Sequence, residues 1–277
     1  MKGNTRKSRR IGRLLFIIAV FTAAIIIGRI GTESPEVTQY DLFIDGLPQS
    51  FVGFKIVQVS DLHGADICSE LIDAVKAEKP DIIALTGDLV TTEADLPVAE
   101  KTVNALSEIC DVYFVSGNHE YASGCIDAVC DIINNAGVRF LRNEFLALER
   151  EDGRLILAGV EDPNAYADMI QPDELVYKLR DEYPTDPVVL LGHRNYWVTE
   201  YPELPVELIL CGHEHGGIIR LPGIGGVLGH GRVLFPEYDA GAYYSGSYTM
   251  IVSRGLGNSL PVPRMFNPPE IVSITLR

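Results

Sequence analysis

The chain has 277 residues, 47% of them apolar, with 26 glycines and 16 prolines. That composition excludes a disordered or fibrous chain and leaves room for one large α/β domain or at most two small ones. The formal charge is −15, but residues 1–32 carry seven basic side chains and no acidic one, so the remainder holds 16 basic against 38 acidic residues, about −22. A body that acidic argues against a nucleic-acid partner, since phosphate contacts need a basic surface.

In chain order, a basic stretch from Lys2 to Arg13 leads into an uncharged apolar run, Leu14–Gly28, closed by Arg29. The run is short for a span of about 20 residues, and it also has the length of a signal-peptide core. No small-x-small cleavage site follows, which favours an uncleaved anchor over an exported, cleaved chain. Either way the positive-inside rule leaves the N-terminus in the cytoplasm and the body outside. The expectation is a single-pass protein of the cell membrane: anchor over 1–32, a connector over 33–50 with an edge strand near Tyr40–Ile44, and one catalytic domain over 51–277.

From Phe54 onward strand and helix patterns alternate. Strands are predicted at 54–59, 81–85, 112–115, 155–160, 188–191 and 208–211, with closing strands at 248–252 and 271–276. Helices are predicted at 67–77, 98–109 and 126–135, the last ending at Gly137. Such alternation implies a mainly parallel sheet with helices on its faces and ligands at the strand carboxyl ends. The five cysteines are an odd number without CxxC spacing and read as small buried hydrophobes.

Five of the six histidines fall at those strand ends, inside Asp61-Leu62-His63, Gly117-Asn118-His119-Glu120, Gly192-His193 and Gly212-His213-Glu214-His215, with Gly87-Asp88 closing another strand. Taken singly, these motifs have ordinary turn readings. Together they supply the carboxylates, imidazoles and amide oxygen of a two-metal site, a donor set that suits Mn²⁺, Fe or Zn²⁺ better than Ca²⁺. Bound cations would also give an anionic substrate the local positive charge that the acidic body lacks. Arg220 and Arg254 are open between a phosphate contact and a surface role. His230 reads as a loop residue, and Tyr196 and Trp197 as core.

This ordered set resembles the signature of the calcineurin-like metallophosphoesterases. The resemblance implies a β-sandwich flanked by helices, with βαβ units and the active site at the strand carboxyl ends. It implies two divalent ions, one held by Asp61, His63, Asp88 and His215, the other by Asp88, Asn118, His193 and His213. His119 is similar to the family's histidine that contacts the phosphate or protonates the leaving group. The tail motifs Ser253–Asn258 and Asn267–Ile271 are similar to a membrane-anchored bacterial branch, described as phosphodiesterases or hydrolases of lipid-linked pyrophosphates such as UDP-diacylglucosamine. One departure stands out: Thr91 occupies the position where related phosphatases carry an aspartate that pairs with the catalytic histidine, leaving Glu93, Asp95 or Glu120 to substitute. The expected function is thus a binuclear-metal phosphohydrolase acting on a membrane-proximal, lipid-linked phosphate ester. A phosphomonoesterase on soluble substrates and a non-catalytic scaffold are the alternatives.

Overall fold

The computed structural model describes residues 2–29, 32, 34–165, 170–259 and 262–277. The expected anchor boundary falls at Glu33, outside the described residues. Helix α1 runs Lys2–Arg29, and its stretch Ile11–Arg29 has 19 residues and a mean hydropathy of 2.4. At 1.5 Å per residue that stretch is about 28 Å long, close to the hydrocarbon thickness of a bilayer. Helical residues beyond the apolar run thus supply the length that the run itself lacks.

The body follows as β1 (Glu36–Leu42), β2 (Lys55–Val59), α2 (Cys68–Glu78), β3 (Ile82–Thr86), α3 (Leu96–Ser107), β4 (Asp111–Val115), α4 (Asn118–Ala122), α5 (Ile126–Asn135) and β5 (Arg139–Phe140). Then come β6 (Glu144–Arg150), β7 (Gly153–Gly159), α6 (Pro172–Glu182), β8 (Val188–Leu191), α7 (Trp197–Glu200) and β9 (Leu208–Cys211). The chain closes with β10 (Arg220–Leu221), β11 (Gly225–Gly226), β12 (Gly241–Tyr244), β13 (Thr249–Val252) and β14 (Glu270–Leu276). The strands form two six-stranded sheets, ordered β1-β14-β2-β3-β4-β5 and β12-β13-β9-β8-β7-β6, plus the small β10-β11 pair. Pairing is parallel along β2-β3-β4-β5 and β13-β9-β8-β7, with β14 and β6 joined antiparallel to β2 and β7.

The two sheets pack face to face because their strands are apolar on both sides. Ile56, Ile82, Ala84, Val189, Leu191, Leu208 and Leu210 point into the space between the sheets. Their alternating neighbours Val57, Val59, Ile83 and Leu85 meet α2, α3 and α5 on one outer face. On the other face, Val188, Leu190 and Ile209 pack with Trp197 and with Leu175, Val176 and Leu179 of α6. Continuous apolar runs are the mark of parallel strands covered on both faces, and each such side chain contributes about 1.5–3 kcal/mol on burial. The single-sheet picture gives way to a helix–sheet–sheet–helix sandwich.

The predicted edge strand lies earlier than expected, at Glu36–Leu42, and pairs in parallel with β14. The exposed acidic run at 149–152 is the end of β6 and its hairpin turn to β7. Of the five cysteines, all free, Cys68, Cys125 and Cys211 are buried, while Cys110 and Cys130 are partly so.

Candidate metal centre

Both sheets deliver their carboxyl ends to one edge of the sandwich. Asp61 and His63 follow β2, Asp88 follows β3, and Asn118 and His119 follow β4 as the first residues of α4. The second sheet adds His193 after β8 and His213 and His215 after β9. Among the described residues, donor atoms within 4.8 Å of one another form three groups: Asp61, His63 and His215; His63, Asp88 and His119; Asp88, His193 and His213. The groups share His63 and Asp88, so they form one cluster.

Asp61, His63, Asp88, His213 and His215 have φ of 52°, 46°, 56°, 78° and 51°. Non-glycine residues in this left-handed region cost of order 1–3 kcal/mol each and persist only where the surroundings over-determine them. The backbone supplies that determination. Asp61 N–H donates to Gly87 O at 3.0 Å, His63 N–H to Asp88 O at 3.0 Å, and Gly257 N–H to Asp61 O at 2.6 Å. His213 N–H donates to both Asp61 carboxylate oxygens at 3.2 Å. At Gly212 a Cβ would collide with the side chains of Ser60 and Asp61, and at Gly117 with the carboxylate of Asp88. Glycine is what lets these loops close on the carboxylates.

Asp88 lies at the centre. Its Oδ2 is 3.4 Å from His63 Nε2 and 3.2 Å from His193 Nε2, and its Oδ1 accepts the His119 N–H at 2.8 Å. Metal–ligand bonds of about 2.1 Å put the atoms of one coordination shell roughly 3.0–3.4 Å apart, so these separations suit ligation. His193 Nδ1 faces the Thr86 carbonyl at 2.8 Å, and His63 Nδ1 faces Thr91 Oγ1, also at 2.8 Å. Both contacts leave Nε2 pointing inward, the usual way a second hydrogen bond fixes a ligating imidazole. Asn118 Oδ1, His63 Nε2 and His215 Nδ1 are buried with no hydrogen-bond partner. Buried polar atoms are normally satisfied, so these orphans fit a cation between them.

The electrostatics favour neutral donors at three of the four candidate ligand imidazoles, while His193 is held charged beside Asp88. Burial pushes the Asp88 carboxyl up, but the adjoining His193 charge and hydrogen bond overcome this and hold it well below the carboxylate range. Burial would lower His193, yet Asp88 pushes it up to about 10. Burial lowers His63 to about 3 and takes His213 and His215 well below the ordinary imidazole value, which keeps all three neutral as donors.

The carboxylate substitutes for Thr91 are engaged elsewhere or point away. Glu120 accepts backbone N–H groups from Gly117, Asp88 and Leu89 at 2.7, 3.0 and 2.6 Å. Asp95 accepts those of Thr91 and Thr92 at 2.9 and 2.8 Å, and Glu93 is exposed. Among the described residues no carboxylate hydrogen-bonds the His119 ring, which instead meets His63 edge-on at 4.8 Å. Arg220 is paired with Asp239 at 3.0 Å and Arg254 with Glu270 at 3.1 Å, so both are tied into the scaffold. Trp197 is core, at 1% exposure.

Three residues take places around the site that the sequence reading did not give them. His230 stacks 4.0 Å from His213 and lines a cleft of about 300 Å³ with His119, His215, Ile218, Arg232 and Ser259. Glu120 stands at the third position of α4 and its carboxylate accepts the Gly117 N–H, which is half of a capping box, since glycine offers no side chain for the other half. Arg264, buried beside Gly257, had no local sequence signal.

A sequence model described as "Calcineurin-like phosphoesterase" matches residues 54–217. The chain is 31% identical over 254 residues to an "Uncharacterized metallophosphoesterase" of Aquifex aeolicus (strain VF5), covering 87% of this chain and 92% of that one. It is 29% identical over 259 residues to the "Uncharacterized metallophosphoesterase YkuE" of Bacillus subtilis (strain 168), covering 87% and 85%. To "Phosphodiesterase YaeI" of Escherichia coli (strain K12) it is 26% identical over 232 residues, covering 80% and 82%.

Proposed function

The chain belongs to the calcineurin-like phosphoesterase family and is a metal-dependent phosphoester hydrolase, and from that premise we propose a membrane-tethered phosphodiesterase or pyrophosphatase with a binuclear centre. Asp61, His63, Asp88 and His215 hold one divalent ion, and Asp88, Asn118, His193 and His213 hold the second. The donor chemistry favours Mn²⁺, Fe or Zn²⁺. The observation that carries this reading is Asp88, whose one carboxylate approaches both His63 and His193 while Asn118 Oδ1 lies buried and unpartnered nearby.

Bound divalent ions supply Lewis acidity and a water acidic enough to attack phosphorus at neutral pH. The chain's own residues do the rest. Thr91 and the Thr86 carbonyl orient His63 and His193. His119, half-buried at the rim, hands a proton to the leaving oxygen from the cleft it shares with His215 and His230. Among the described residues no carboxylate holds its ring, which rests edge-on against His63. The apolar helix α1 tethers the body on the outer side of the membrane, which suits a phosphate ester in a lipid headgroup.

The test uses the full chain in detergent micelles, stripped of metal and assayed on bis-p-nitrophenyl phosphate with and without Mn²⁺, beside Asp88→Asn. Metal-restored turnover that the substitution abolishes supports the reading. A folded chain that binds fewer than two ions and stays inactive refutes it.

A further inference from the structure

The segment from β10 to Phe235 exposes apolar side chains that belong neither to the core nor to the metal centre. Ile224, Val233, Leu234 and Phe235 are 66%, 53%, 66% and 58% exposed, and residues 231–235 form an unbroken exposed run. Contiguous exposed apolar side chains on an acidic body mark a contact surface. Arg232, the one charge in that run, is a cation.

The position of the segment says what it contacts. At the end of α1, Gly28 is buried, its carbonyl accepts the Phe266 N–H at 2.7 Å, and the body packs directly on it through Met265 and Phe266. From Met265 a short ladder of backbone bonds leads outward. Arg220 N–H donates to Met265 O at 2.9 Å, Val227 N–H to Ile219 O at 2.8 Å, and Phe235 N–H to Val227 O at 3.0 Å. Three rungs at about 4.8 Å place the Phe235 backbone roughly 14 Å from the Met265 backbone. An exposed apolar patch therefore lies beside the point where the apolar helix meets the body.

The same segment reaches the metal centre. His230 N–H donates to Glu214 Oε2 at 2.9 Å, and its ring stacks on His213 at 4.0 Å. The cleft lined by His119, His215, His230 and Arg232 opens beside the exposed run.

We propose that the 221–235 segment docks on the lipid surface, with Ile224, Val233, Leu234 and Phe235 in the headgroup–acyl boundary, Arg232 at the phosphate level and the cleft facing the bilayer. Apolar side chains flanked by a cation are what interfacial elements present to membranes. A lipid-borne phosphate then enters the cleft without leaving the surface. The proposal rests on the reading that α1 is a membrane anchor, and the experiment keeps the two apart.

Full-length Leu234→Trp and Phe16→Trp chains are reconstituted in phosphatidylcholine–phosphatidylglycerol vesicles carrying brominated lipids, with the unsubstituted chain giving the background of Trp197, which is 1% exposed. Docking predicts that both new tryptophans are quenched, the one at 234 losing about half its emission to bromines placed shallowly in the acyl region. Quenching at 16 with emission at 234 that responds only to aqueous acrylamide overturns the docking and leaves the anchor standing. Emission at 234 reached by neither quencher also overturns it, since protein then covers the segment. No lipid quenching at 16 removes the anchor, and the proposal with it.

Discussion

Thr91 Oγ1 lies 2.8 Å from Nδ1 of His63, on the side of the ring away from Asp88. The residue that departs from the phosphatase pattern thus orients a candidate ligand and leaves His119 unattended. An accepting hydroxyl fixes the proton on Nδ1 and turns Nε2 inward. Removing such a partner ordinarily costs 10–100-fold in metal affinity, so Thr91→Val should weaken binding of the ion at His63 by about that factor. Competition against a chromogenic chelator measures it, and an unchanged affinity would remove Thr91 from this role.

Glu120 is fully buried and gathers three backbone N–H groups from the loops after β3 and β4, those of Asp88, Leu89 and Gly117. It fastens together the two loops that carry Asp88 and Asn118. Glu120→Gln replaces one accepting oxygen with a donor that faces N–H groups. Burial raises Glu120 to about 7, so the comparison is made above that pH, where the carboxyl is ionised. Hydrogen bonds to a charged group are worth about 1.5–3 kcal/mol each, and the expected destabilisation is about 3 kcal/mol. Urea unfolding should show an earlier midpoint, and metal content should fall with it. Equal stability of the two chains would contradict the clasp.

The candidate site was legible because its chemistry is local: its histidines, aspartates and asparagine stand in short motifs at the ends of apolar runs, and all but Asp61 and His119 adjoin a glycine. The inner strands were legible for a related reason, since runs such as Val188–Leu191 and Leu208–Cys211 are buried on both faces. What escaped was half-exposed or non-local. Strand β6, Glu144–Arg150, is an edge strand with no fully buried residue and so lacks the apolar run. Helix α6 had a signal that went unread: Pro172 at its start, Asp173 and Glu174 in the first turn, Arg180 in the last. The split of the strands into two sheets depends on β14 returning beside β2 while β13 joins β9, and neither strand's own pattern encodes its neighbour.

Arg264 is the clearest non-local case. Nothing around it in the sequence marks a site, yet it is only 7% exposed and lies beneath the Asp61 loop. Its Nε donates to Gly257 O at 3.0 Å and its Nη2 to Arg254 O at 2.7 Å, while Gly257 N–H holds the Asp61 carbonyl at 2.6 Å. Burial lowers it to about 10, so it stays charged at neutral pH. The planar fork presents donors from two nitrogens to the two carbonyls, a fixed geometry that the single nitrogen of lysine does not reproduce. Arg264→Lys should cost about 2 kcal/mol of stability and loosen Asp61. A denaturation curve matching the parent's would refute this bracing.

The buried imidazoles make the stability of the metal-stripped chain depend on pH with a definite sign. Burial puts His63 at about 3 and takes His213 and His215 well below 6.5, so between those values the unfolded chain holds the extra protons. A group of that kind contributes stability that is lost as pH falls through its unfolded value. Burial also raises Asp61 to about 6 and Glu120 to about 7, which works the other way, because there the folded chain holds the proton. His193, raised to about 10 by Asp88 despite burial, adds stability below 6.5 that is lost as pH climbs toward 10. Three imidazoles outweigh two carboxyls near pH 6. At about 1.4 kcal/mol per proton per pH unit, the net loss on going from about pH 6.5 to about pH 5.5 is on the order of 1 kcal/mol. Urea midpoints of the stripped chain in micelles should fall accordingly, and a midpoint that rises on acidification would contradict the buried neutral imidazoles. Restoring Mn²⁺ should raise the midpoint at neutral pH and steepen the fall, because protons and metal compete for the same nitrogens.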